Sequence, residues 1–91
     1  MKKRVILRVW GLVQGVGFRY NTKKYAEIQN LSGWVKNEED GSVTVVAEGE
    51  EKDLQKLIAW VRLGPPFASA EKVEVFWEEV KGEKGFQVRY S

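Results

Sequence analysis

The chain has 91 residues, 43% of them hydrophobic, and a formal net charge of +2, so it is long and apolar enough for one small globular core. It contains no cysteine and no histidine, which excludes disulfides, thiol nucleophiles, zinc–thiolate sites and Ser–His triads. No segment approaches the ~18 consecutive apolar residues of a membrane span, and the basic N-terminus is followed by an alternating segment that is unlike a signal peptide. We therefore expect a cytoplasmic protein.

The first predicted elements are a strand and a helix that are joined by a glycine-rich loop. Residues 3–10 place apolar side chains at every second position, which is typical of a half-buried strand. Residues 18–29 follow helical spacing, and Asn30 is suited to a left-handed stop after that helix. The intervening residues 11–17 include three glycines.

The remaining segments predict strands and one further helix. Apolar residues at i, i+3, i+4 and i+7 within 50–63 predict a helix, and Gly64-Pro65-Pro66 ends it. Asp40-Gly41 predicts a hairpin turn with both residues at positive φ. The other predicted strands cover residues 32–37, 42–48, 72–80 and 86–90.

The order of these elements is β-α-β-β-α-β with a short fifth strand. This order predicts an α+β fold of the ferredoxin-like, split βαβ type, with an antiparallel sheet and two helices on one face. We expect residues 1–91 to form a single domain.

The glycine-rich loop has the properties of an anion site. Backbone N–H groups at a helix N-terminus have no internal acceptor, and the helix dipole adds positive potential there. Arg19 adds a planar set of donors that suits phosphate. The loop matches neither the P-loop nor the dinucleotide fingerprint, and the glycines could also form only a tight turn, with Arg19 in a surface ion pair.

The charged residues are unevenly distributed. Seven basic residues precede the first acidic residue, Glu27. They predict either a solvated basic face or a positive field around the loop that attracts a small anion. A net charge of +2 argues against a dedicated nucleic-acid-binding protein.

Three motifs occur in order along the chain, and the first of them contains the glycine-rich loop. Residues 11–19 read Gly-Leu-Val-Gln-Gly-Val-Gly-Phe-Arg, followed by Gly-Trp-Val-Lys-Asn at 33–37 and Asp-Gly-Ser-Val at 40–43. In this order and spacing they make the chain similar to the acylphosphatase family over nearly its whole length. The resemblance implies a ferredoxin-like fold and an enzyme that hydrolyses the carboxyl–phosphate bond of acyl phosphates to a carboxylate and inorganic phosphate.

The resemblance also implies the site residues and the partners. The phosphate-binding arginine of the family falls on Arg19 and its water-positioning asparagine on Asn37, and these two are the implied catalytic residues. A small acyl phosphate is the implied substrate of a monomer with no cofactor, metal, nucleic acid or membrane partner, and phosphate or other small anions would bind in the loop. The implied phosphate-binding residues are Gln14, Gly15, Val16, Gly17, Phe18 and Arg19.

Some residues and functions keep a second interpretation. Without the family resemblance, an asparagine at the end of a strand, such as Asn37, is interpreted as a residue that forms a turn. We interpret Phe18 and Trp34 as core residues. RNA-recognition domains share the predicted topology, and residues 84–90 loosely match their aromatic strand motif. Acylphosphatase-like domains also occur in hydrogenase-maturation carbamoyltransferases that use carbamoyl phosphate. The end of the chain at Ser91 favours a free-standing enzyme over such a domain.

Overall fold

The computed structural model describes residues 1–66 and 68–90, which form a five-stranded sheet and two helices. The strand order is β4-β1-β3-β2-β5, and both helices pack on one face of the sheet. This arrangement confirms the predicted α+β, ferredoxin-like fold. The elements are β1 (Lys2–Leu12), α1 (Phe18–Ile28), β2 (Ser32–Asn37), β3 (Val43–Glu50), α2 (Glu51–Leu63), β4 (Ser69–Glu78) and β5 (Phe86–Arg89).

The sheet is mixed, because one of its four strand pairings is parallel. β1 pairs antiparallel with β3 and with β4, and β2 pairs antiparallel with β3, as predicted. β5 instead pairs parallel with β2 at the edge of the sheet. The connection between β4 and β5 leads from one edge of the sheet to the other, and alternation of apolar residues cannot reveal that path.

The core lies between the helices and the sheet face to which alternate residues of β1 and β3 point. Alternation along β1 and β3 buries the predicted faces, and the apolar stripe of α2 covers them. Neither helix in the described part of the chain is long and apolar enough to cross a membrane. The residues of these three elements that belong to this core are Val5, Leu7, Val9, Val43, Val45, Ala47, Leu54, Leu57, Ile58 and Val61.

Several strand ends differ from the prediction because long-range contacts decide them. A register shift between Trp10 and Gly11 lets β1 continue to Leu12 and pair with the first residues of β4, although the alternation breaks there. β4 ends at Glu78 because the next residues turn towards the Glu48 carboxylate, which accepts hydrogen bonds from the N–H groups of residues 81–83.

Three local predictions have different outcomes. Asn30 has φ 60° and ends α1 in the left-handed conformation, as predicted. In the 38–41 turn, Gly41 has positive φ but Asp40 does not. The N–H of Gly41 donates to the carbonyl oxygen of Glu38, as in a type I turn that is followed by one left-handed residue. Trp34 is not a core residue: it is half-buried on the sheet face away from the helices, with the Arg89 guanidinium 4.5 Å from its ring centroid.

Candidate active site

The sheet topology places the ends of three strands on the same side of the molecule. β1 and β2 both run antiparallel to β3, and β5 runs parallel to β2, so these three strands share one direction. Their C-terminal ends therefore lie at the same end of the sheet. The glycine-rich loop follows β1, Asn37 ends β2, and Tyr90 comes directly after β5.

These chain segments line an open cavity of about 190 Å³, well above the ~10–15 Å³ that a site needs to hold one water molecule. Four of the six predicted phosphate-binding residues line it, and so does Asn37. Gln14 and Val16 do not line it, since Val16 packs against the core and the Gln14 amide is hydrogen-bonded to the 38–42 hairpin. The complete lining is Val13, Gly15, Gly17, Phe18, Arg19, Tyr20, Asn37, Val88 and Tyr90.

Buried side chains fix the loop at both ends. Val13 and Phe18 are each only 1% exposed and belong to the hydrophobic core. Between them, Gly15 and Gly17 have φ angles of 75° and 76°, in the left-handed region that favours glycine. A Cβ atom on Gly15 would meet nothing within 4 Å, so this side of the loop is open to a ligand.

The backbone amides of the loop are unused. Within residues 1–66 and 68–90, the N–H groups of residues 15–19 have no hydrogen-bond acceptor. The first helical hydrogen bond to the loop is donated by the N–H of Asn21 to the carbonyl of Gly17. A run of free amides at the start of α1, with the positive end of the helix dipole, can bind an anion.

Arg19 lies beside these amides and is held by the end of β5. Its Nη1 atom donates to the carbonyl oxygen of Arg89 at 3.3 Å, and its guanidinium carbon lies 4.6 Å from the centroid of the Tyr90 ring. A contact of this kind between a cation and a ring does not use up hydrogen-bond donors, so the remaining N–H groups of Arg19 stay available for oxygen atoms. Sequence reasoning did not single out Tyr90 as a site residue, because only the parallel pairing of β5 brings it here.

The side-chain amide of Asn37 has no hydrogen-bond partner in the described part of the protein, and its Oδ1 atom is buried. An unpaired buried amide oxygen is uncommon, because an unmade hydrogen bond costs roughly 1–3 kcal/mol. The Nδ2 end of the amide is also without a partner among the described residues, and because Asn37 lines the cavity it can orient a water molecule or a substrate atom there.

A second cavity, of about 520 Å³, adjoins the first. Asn37 and Tyr90 border both cavities. The second is lined by basic and acidic side chains: Arg8, Lys36, Glu38, Glu39 and Asp40. Hydrogen bonds from the Ser42 side chain and backbone, with the nearby Arg8 guanidinium, lower the pKa of Asp40.

The basic residues near the N-terminus do not all surround the loop. Arg4 is buried and ion-paired with Glu48, while Lys3 pairs with Glu51. Arg19 is the member of that group that lines the smaller cavity. Among the described residues, no three acidic side chains are close enough together to hold a metal ion.

The family model and the sequence relatives agree on one family. The family model for acylphosphatases matches residues 5–88. The acylphosphatase of Thermococcus kodakarensis is 46% identical over 85 residues, which cover 93% of each chain. The crystal structure of Bacillus subtilis acylphosphatase superposes with a TM-score of 0.93 at 38% identity and covers 99% of this chain and 100% of that one.

A larger protein contains a similar unit. A full-length HypF in its phosphate- and nucleotide-bound form superposes with a TM-score of 0.91 at 31% identity. The match covers 98% of this chain but only 12% of HypF.

Proposed function

This chain belongs to the acylphosphatase family and is an acylphosphatase, and from that premise we propose that the smaller cavity is its active site, with Arg19 and Asn37 as the catalytic residues. The enzyme hydrolyses acyl phosphates at the carboxyl–phosphate bond. The observation that carries the proposal is the meeting of free loop amides, the Arg19 guanidinium and the unpaired Asn37 amide around one cavity.

In this proposal the loop of residues 14–19 holds the phosphoryl group. The amides of residues 15–19 and the in-plane donors of Arg19 bind its non-bridging oxygens, on which negative charge is spread in a loose transition state. The donors are in place before the substrate arrives, because Val13 and Phe18 anchor the loop. Phosphate and other small anions would bind to the same donors.

Asn37 orients the attacking water in the proposed reaction. Its amide has no ionisable proton and cannot act as a base, so a phosphoryl oxygen accepts the proton of the water as the new P–O bond forms. The P–O bond to the acyl group breaks, and its electron pair leaves with the carboxylate. Because a carboxylate is a good leaving group, no general acid is required, and charge stabilisation by Arg19 and the amides takes the place of a metal ion.

The proposal includes the setting in which the enzyme acts. We infer that residues 1–91 form one acylphosphatase-like domain, a cytoplasmic monomer with no nucleic-acid partner. The edge position of β5 supports the last point, because residues 84–90, the segment with an RNA-recognition-like motif, do not lie in the centre of the sheet. Carbamoyl phosphate carries the same phosphoryl group and is a second candidate substrate.

The test is hydrolysis of benzoyl phosphate and carbamoyl phosphate in excess chelator. Arg19→Ala and Asn37→Ala are each expected to lower kcat/KM roughly 100- to 1,000-fold, the usual cost of losing one strong electrostatic contact to a transition state. Arg62→Ala, at the exposed end of α2, and Asn30→Gly are matched controls that should leave the rate unchanged. Loss of wild-type activity in chelator would disprove the metal-free reaction, and full activity of Asn37→Ala would disprove the role of that residue.

A further inference from the structure

The side chain of Gln14 connects the phosphate loop to the hairpin between β2 and β3. Its Nε2 atom donates to the carbonyl oxygen of Glu38 at 2.8 Å and to that of Ser42 at 2.9 Å. Because both partners are acceptors, the amide nitrogen must face them, and both of its hydrogens are used. Gln14 lies in the loop sequence, yet its side chain points away from the cavity that the loop encloses.

The carbonyl groups of Glu38 and Ser42 lie at the two ends of the turn that connects β2 to β3. The N–H of Glu38 also donates to the carbonyl oxygen of Ser42, at 2.8 Å, so the Gln14 amide completes a three-way junction. Asn37 directly precedes Glu38, and its own side chain has no hydrogen bond in the described part of the chain to hold it. The location of the Asn37 amide relative to the loop therefore depends on its backbone.

We propose that Gln14 is a positioning residue, which sets the distance between the phosphate loop and Asn37 and so aligns the water with the bound phosphoryl group. The proposal rests on the proposed function of Asn37. The two halves of the site come from opposite sides of β3, because β1 and β2 are not neighbours in the sheet. The Gln14 bonds join the two halves directly at the site.

This role predicts a specific kinetic effect. Without the two bonds, the loop amides and Arg19 still bind phosphate, but the water is no longer held in line with the leaving group. A misplacement of about 1 Å can reduce a rate about 100-fold. We therefore expect kcat to fall and phosphate affinity to remain.

The experiment compares Gln14→Met, which keeps the length of the side chain but removes its donors, in the wild-type and Asn37→Ala backgrounds. The measurements are kcat for benzoyl phosphate, the inhibition constant of inorganic phosphate, and the thermal unfolding midpoint. In the wild-type background we expect kcat to fall about 10- to 100-fold, with the inhibition constant within about two-fold of wild type. In the Asn37→Ala background the same substitution should cause no further loss of kcat.

A matched control addresses loosening of the hairpin in general. Thr44→Val removes the 2.6 Å hydrogen bond from Thr44 to Glu38 in the same hairpin, but that bond has no connection to the loop. It should leave kcat unchanged. An equal fall of kcat in Thr44→Val would overturn the proposal, as would additive losses in the double variant or a parallel loss of phosphate affinity in Gln14→Met.

The two proposals fail in distinguishable ways. If Asn37→Ala retains full kcat, the proposed role of Asn37 is wrong, whatever Gln14→Met does. If Asn37→Ala loses activity and Gln14→Met does not, only the inference about Gln14 is wrong.

Discussion

Arg19 depends on the chain end for its orientation. The carbonyl of Arg89 accepts one of its hydrogen bonds, and its guanidinium carbon lies over the Tyr90 ring. Tyr90 is 81% exposed, so its contacts with the core contribute little to stability. Its structural role is to limit the orientations of a long side chain that must otherwise be ordered when phosphate binds.

Replacing Tyr90 with leucine is expected to weaken phosphate binding without unfolding the protein. A cation–π contact at an exposed site contributes roughly 0.5–1 kcal/mol, which corresponds to a two- to five-fold rise in the inhibition constant of inorganic phosphate. Tyr90→Phe retains the ring and should restore most of the affinity. If the inhibition constants of both variants equal that of wild type, the ring does not orient Arg19.

The loop before α1 combines fixed ends with an unusual backbone. Gly15 has φ 75° and open space where a Cβ atom would lie, so an alanine there meets no steric obstacle and only the backbone conformation opposes it. In the left-handed region that cost is roughly 1–2 kcal/mol. The loop can avoid it by changing conformation, which would turn its amides away from the anion.

Gly15→Ala is therefore expected to lower the affinity for phosphate about ten-fold or more, with a loss of stability of at most about 1–2 kcal/mol. Gly82→Ala is the matched control: Gly82 has φ 88°, and a Cβ atom there would also meet nothing within 4 Å. Urea unfolding and phosphate inhibition should show a similar loss of stability in both variants but a loss of binding in Gly15→Ala alone. Equal binding by the two variants would show that the loop tolerates the change.

The sequence predicts the bounds of the helices and strands better than it predicts which strands pair in the sheet. The bounds of β2 match the prediction, and α2 differs by one residue, because apolar spacing and breaker residues act locally. The parallel pairing of β5 and the hydrogen bonds of Gln14 depend on residues more than twenty positions away, so no local pattern indicates them. Local chemistry indicated the glycine loop and Arg19, the family motif added Asn37, and the geometry that relates them came only from the fold.

The molecule separates its reactive end from its most buried ion pair. Within β1, the distance from Arg4 to Leu12 is about 26 Å at 3.3 Å per residue, and the phosphate loop follows Leu12. At the opposite end of β1, Nη1 of Arg4 donates to Glu48 at 2.8 Å and to Glu83 at 2.9 Å. Glu48 also accepts hydrogen bonds from backbone amides of the connection that crosses between β4 and β5. This cluster therefore holds the path that delivers β5, and with it Tyr90, to the site.

Glu48 should make stability depend on acid. Burial alone would raise the pKa of this carboxyl, but hydrogen bonds from the Lys81 amide, Arg4 and two further amides outweigh it and lower the pKa from 4.5 to about 2. The folded protein then binds this proton less readily than the unfolded chain does. The stabilisation is complete above about pH 4.5 and is lost as the pH falls towards 2.

Glu48→Gln keeps the shape of the side chain and removes its charge, and we expect a loss of about 3 kcal/mol in the free energy of unfolding at pH 7. Between pH 4.5 and 2 the variant should lose less stability than wild type, since the carboxyl that titrates there is gone. Glu78→Gln is the control: its side chain is 38% exposed and also pairs with Arg4, so its removal should cost less than about 1 kcal/mol. Urea unfolding over this pH range measures both variants, and parallel acid profiles for Glu48→Gln and wild type would rule out Glu48 as the group that titrates.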